Sequence, residues 1–125
     1  NILKDSALNG EKNKTNNLLS ETVIEAEKNI YYLNIINQRL NKILEVKELS
    51  KKNGLEPAIN SIKPPIFWKD KPKFLNQVKK WNKNKIKNML DKTYNLEIKI
   101  KSNSIANKNL LIKKLIVDIC CEANS

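Results

Sequence analysis

Between Lys63 and Lys92 the chain gathers ten lysines and four of its seven aromatic side chains, Phe67, Trp68, Phe74 and Trp81. Lysines attract phosphates in a salt-sensitive way, and an exposed ring offers a stacking surface worth about 1–3 kcal/mol per unpaired base. The four rings are not equivalent. Phe74 and Trp81 stand seven residues apart on a predicted helix that also carries Val78, the spacing of a buried face. Phe67, with Ile66, is expected to pin a loop to the body of the protein. Trp68 follows the rigid Pro64-Pro65 pair, precedes a lysine and opens the next helix instead of continuing its buried stripe. Trp68 is therefore the candidate base-contacting ring, with Lys69, Lys71 and Lys73 as candidate phosphate contacts.

Other chemistry is thin. The sequence has no histidine, so the commonest metal ligand and the usual acid/base near neutral pH are both missing. Two glycines cannot build a phosphate loop or a dinucleotide-binding turn. Glu21, Glu25 and Glu48 fall on amphipathic segments and read as solvated faces. Cys120 and Cys121 are neighbours in an apolar run, which points to buried thiols and a reducing, cytoplasmic setting. No enzyme activity, metal or cofactor is expected, and no apolar run approaches the roughly 20 residues of a membrane helix.

The net charge of +11 has an uneven origin. Of 24 basic residues only Arg39 is not lysine, and Asn and Ile are also frequent, the triad an AT-rich genome supplies. Residues 1–62 carry nine basic and eight acidic side chains, whereas residues 63–92 carry ten lysines against Asp70 and Asp91. Residues 93–125 add five against three. Uniform bias would not place most of the excess in one quarter of the chain, so this distribution points to a polyanion.

These side chains need helices to hold them. Scarce Gly and Pro, with long runs of apolar period 3.6, predict an all-α bundle of about five to six helices in one domain, 1–125. Ile2–Leu8 forms a short helical piece that stops at Asn9-Gly10. Glu11–Glu27 reads as a helix with Leu18, Leu19, Val23 and Ala26 on one face, and the capping-box spacing of Thr22 and Glu25 allows a break. Ile30–Lys52 is the clearest helix, with Ile30, Leu33, Ile36, Leu40, Ile43 and Leu44 in register and Asn53-Gly54 as its stop. Glu56–Ile62 is short, with Pro57 in its first turn. The prolines keep residues 63–68 out of a regular helix. Asp70–Trp81 follows, with Asp70 as candidate N-cap and Pro72 in the first turn. Lys83–Lys101 is expected to bury Ile86, Met89, Leu90, Tyr94 and Ile98, and Ser102–Ser104 to turn. Ala106–Glu122, carrying Leu110, Leu111, Leu115, Ile116, Ile119 and Cys120, is expected deep in the bundle. The chain opens on Asn1 instead of Met, which suggests a piece of something longer.

The run Ala58-Ile59-Asn60-Ser61-Ile62-Lys63-Pro64-Pro65-Ile66-Phe67-Trp68-Lys69-Asp70-Lys71-Pro72, continuing to Phe74, Gln77 and Trp81, resembles the C-terminal domain of the delta subunit of bacterial DNA polymerase III. That family shows an "A…LxPPxF[FW]Kxxxx[F]xxQ…W" pattern. Leu90, Tyr94, Glu97 and Lys101, followed by a leucine-rich helix, are similar to its downstream part, and Leu18-Leu19 through Arg39-Leu40 to its paired upstream helices. Where the family has Gly and Pro near positions 26 and 29, this chain has Ala26 and Asn29.

The resemblance implies an all-helical collar domain of the clamp loader, the assembly that places the sliding clamp on primed DNA. It implies a non-catalytic role, since delta lacks a working ATP site. The expected partners are the loader's ATPase subunits, delta-prime and single-stranded template DNA; the sliding clamp is reached only through an N-terminal region outside this chain. Pro64, Pro65, Phe67, Phe74 and Trp81 become motif residues, and the aromatic matching Trp68 lies where the template leaves the loader and can stack on a base. Two rivals stand beside it: a purely structural collar piece with Trp68 buried, and a basic RNA- or ribosome-binding module with its lysines on one continuous face.

Overall fold

The structure is a computed structural model that describes residues 1–102 and 107–125, with the backbone alone at Ala26. Seven α-helices are present among the described residues: α1 (Ile2–Leu8), α2 (Lys12–Glu21), α3 (Asn29–Asn53), α4 (Leu55–Ser61), α5 (Lys71–Lys80), α6 (Lys83–Lys101) and α7 (Lys108–Ala123). Single 3₁₀ turns, Ala26–Lys28 and Trp68–Asp70, precede α3 and α5.

The frequent asparagines do work at the helix starts. The side-chain oxygens of Asn1, Asn82 and Asn107 accept from the backbone N–H groups of Lys4, Lys85 and Leu110, capping α1, α6 and α7. Both glycines sit at helix ends with positive φ, +71° at Gly10 after α1 and +87° at Gly54 between α3 and α4. A Cβ at Gly10 would stand 2.6 Å from the Asn124 side chain, whose amide donates to the Gly10 carbonyl at 2.8 Å and ties the two chain ends together. Asp70 holds the N-cap position of α5 without a side-chain capping bond, so Pro72 in the first turn is the stronger start signal.

The 25-residue α3 is the spine. Its stripe of Leu33, Ile36, Leu40, Ile43 and Val46 is buried, and α4, α5, α6 and α7 pack around it. Full burial of such side chains favours the fold by about 1.5–3 kcal/mol each. The opposite wall is α7, which packs on α1, α2, α3 and α6 with Ile112, Leu115, Ile116, Ile119 and Cys120 inward.

A buried polar latch joins α1 to α5 and α3. Gln77 donates to the Asp5 carboxylate at 3.0 Å and accepts from Arg39 at 3.4 Å, while the Trp81 indole N–H donates to the Leu8 carbonyl at 2.9 Å. Lys4 lies 3.6 Å from Asp5. Burial, reinforced by the nearby Arg39 charge, lowers the pKa of its ammonium. The Asn29 side-chain oxygen, at the start of α3, is the one buried side-chain polar atom among the described residues without a hydrogen-bond partner.

Several expectations need correction. The helix predicted over Glu11–Glu27 ends at Glu21, near the break that the Thr22 and Glu25 spacing allowed, and Val23 is 84% exposed while its neighbour Ile24 is buried. Past the extended Thr22 the chain has left the helix, and of the two adjacent apolar residues only Ile24 reaches the core. On α6, Tyr94 and Ile98 are exposed, and Thr93 and Ile100 take the buried face. On α7, Leu110 is exposed, and of the two thiols only Cys120 is buried. The all-α bundle is as expected; among the described residues it has seven helices, where about five to six were expected. The start of the last helix at Ala106 and residues Asn103 and Ser104 of the predicted turn lie outside the described residues.

Candidate nucleic-acid interface

Residues 62–70 leave α4 and enter α5 as a turn held at both feet. Ile62 is buried and Ile66 packs partly buried against the core, leaving Lys63, Pro64 and Pro65 in solvent between them. From α3, the Lys42 ammonium donates to the Pro64 carbonyl at 3.1 Å. Desolvation there, with Arg39 close by, holds its pKa below the ordinary lysine range. A backbone bond from Asp70 N–H to the Phe67 carbonyl at 2.8 Å closes the 3₁₀ turn.

At the crest of this turn, Trp68 is 70% exposed and Phe67 57% exposed. Their ring centroids are 5.9 Å apart with planes tilted by 54°. The Lys69 ammonium lies 5.4 Å from the Trp68 centroid, a cation–π contact worth about 0.5–1 kcal/mol at an exposed site. Two large rings left in water and flanked by a cation form a platform: a flat base can cover the apolar faces while the ammonium meets a phosphate.

The predicted residues separate cleanly. Trp68, Lys69 and Lys73 are exposed at the crest and on the first turn of α5. Lys71 is already engaged, its ammonium 2.9 Å from Glu56 on α4. Phe74 and Trp81 are wholly buried, as their spacing implied, and the Arg39 guanidinium lies 5.3 Å from the centroid of the Phe74 ring. Phe67 does not pin the loop; Ile62 and Ile66 do, and Phe67 joins the exposed face. Sequence reasoning missed Phe67 as a second ring and Lys42 as the strut behind Pro64. The adjacency of two aromatics after two prolines was the available signal for the first; Lys42 is a long-range contact without one.

Elsewhere the charges are quieter. Lys83 bridges to Glu48 at 3.0 Å, joining α6 to α3, and this hydrogen bond, with the Lys51 charge, lowers the Glu48 pKa. Among the described residues no group of three or more metal-ligating side chains converges, and no helix is long and apolar enough to cross a membrane. Compared with known proteins, the chain matches no family model, no curated protein and no solved structure.

Proposed function

We propose that this chain is a non-catalytic binding and assembly module of DNA replication, a collar domain of the clamp-loader delta type, that touches single-stranded template through Trp68. The observation that carries the DNA contact is the Trp68 ring, 70% exposed at the crest of an anchored Pro-Pro turn with Phe67 and Lys69 against it. The bundle around it supports the assembly role, and the Ala58–Trp81 resemblance supplies the identity of the assembly. Loader ATPase subunits and delta-prime are the proposed neighbours, in a cytoplasmic replisome.

A purely structural collar piece would be expected to bury Trp68, so the exposed ring favours nucleic-acid contact. A general RNA- or ribosome-binding module calls for the ten lysines on one continuous face with no large apolar patch beside it. Here Lys71 and Lys83 are paired with Glu56 and Glu48, and Leu110 and Val117 interrupt the polar surface on α7.

The test is anisotropy of a labelled oligothymidine with wild type and Trp68→Ala at two salt concentrations. Loss of one stacked base weakens binding by about 1–3 kcal/mol, roughly 5- to 150-fold, at both salts. Equal affinity of the two proteins removes Trp68 from the site. For the assembly half, this chain should co-purify with the loader ATPase and delta-prime subunits; failure to do so would sink the collar role.

A further inference from the structure

We propose that the cleft between α6 and α7 is a docking groove for an acidic amphipathic helix of a protein partner. The cleft is open, about 250 Å³ in volume, and remote in sequence from the Trp68 turn. Its two walls repeat one pattern. Lys92, Asn95, Leu96 and Lys99 on α6, and Leu111, Lys114, Leu115 and Asp118 on α7, each follow i, i+3, i+4, i+7 spacing, so each set forms a continuous strip facing the other. Leu96, Leu111 and Leu115 form the apolar floor, and Lys92, Lys99 and Lys114 stand exposed along the rims.

Two features identify the occupant. Among the described residues, none of the three rim lysines has a carboxylate within 4 Å, and Asp118 is the only acid lining the cleft. An apolar strip between unneutralised cations matches a helix whose leucine-type stripe is flanked by Glu or Asp, since apolar contact holds the stripe and the rim charges fix its register. A second copy of this chain is a poor match, because it would bring another +11 of like charge. Nucleic acid is equally poor: no aromatic side chain lines the cleft, and a leucine floor offers bases no stacking face. At about 250 Å³ the cleft admits apolar side-chain tips and not a whole helix, so the occupant would lie across the mouth.

The experiment titrates the isotope-labelled chain with a synthetic helical peptide bearing leucines at i, i+3, i+4 and i+7 between glutamates, followed by amide chemical shifts. Shifts should map to residues 92–99 and 111–118. Binding should weaken by about tenfold or more in Lys92→Glu/Lys99→Glu/Lys114→Glu, whose exposed positions leave the core intact. The same peptide with lysines in place of glutamates should not bind. Trp68→Ala should bind the acidic peptide as wild type does, which separates this groove from the oligothymidine site. The proposal is overturned if the acidic peptide gives no shifts, if the lysine peptide binds as well, if the triple variant keeps full affinity, or if oligothymidine fills the groove.

Discussion

Trp68 and Trp81 share a lysine-rich neighbourhood and have opposite physical roles, decided by what each indole meets. Trp81 is sealed from solvent, and its N–H satisfies the Leu8 carbonyl at 2.9 Å, so both its apolar body and its one polar atom serve the fold. Trp68 buries little and leaves its ring available. Conservative replacement at the two positions should therefore diverge. Trp81→Phe keeps an aromatic body but strands the Leu8 carbonyl and leaves space where the larger ring was. It should destabilise by about 1–3 kcal/mol or more in urea unfolding. Trp68→Phe should stay within about 0.5 kcal/mol of wild type, as expected of a surface position, and should retain part of the oligothymidine affinity because a base still has a ring to stack on. Equal destabilisation by the two changes would contradict these assigned roles.

At the scale of elements, the helices were legible wherever one apolar stripe outweighed every other. The predicted Ile30–Lys52 helix differs from α3 by a single residue at each end, and the Gly10 and Gly54 stops fall where the chain turns with positive φ. Helix α6 was harder because it carries two candidate stripes. Ile86, Met89 and Ile100 face inward together with Thr93, whose hydroxyl lies 3.0 Å from the Asn37 amide oxygen of α3, whereas Tyr94 and Ile98 face out. A polar residue in the buried stripe and apolar ones outside it invert the pattern, and only the contact with α3 resolves them. The candidate site divides the same way: the Pro-Pro turn singled out Trp68 as the candidate ring, while its exposure, the Lys71–Glu56 pair and the Lys42 strut are settled only in the folded chain. The polar latch between α1 and α5 gives an element-scale prediction. Gln77→Met leaves the Asp5 carboxylate without its amide donor, which costs about 1–3 kcal/mol. Because that bond ties α1 to α5, hydrogen exchange should accelerate first in α1 and much less along α3. Uniform acceleration would mean that α1 does not open as a separate unit.

For the whole molecule, a net charge of +11 on 125 residues sets folding and the proposed DNA contact in opposition. Like charges crowded onto one small body repel, and the repulsion grows as the chain compacts, so it destabilises the folded state. The same lysines raise the local attraction for a phosphate chain. Added salt shortens the screening length from about 30 Å at 0.01 M to about 8 Å at 0.15 M. It should relieve the repulsion and stabilise the fold while it weakens binding to single-stranded DNA. The size of the second effect follows from the local geometry and not from the total charge. Lys69 and Lys73 are exposed beside the platform, Lys63 lies in the turn, and Lys71 is held by Glu56. With each engaged phosphate contributing about −0.7 to the slope of log K against log salt, two or three free lysines predict a slope near −1.4 to −2.1. Lys73→Gln should make that slope shallower by about 0.7 without lowering the unfolding midpoint, since removing a cation from an over-charged surface favours compaction. A slope several times steeper would mean that lysines far from Trp68 carry the contact, and would move the site from the Pro-Pro turn to the basic surface as a whole.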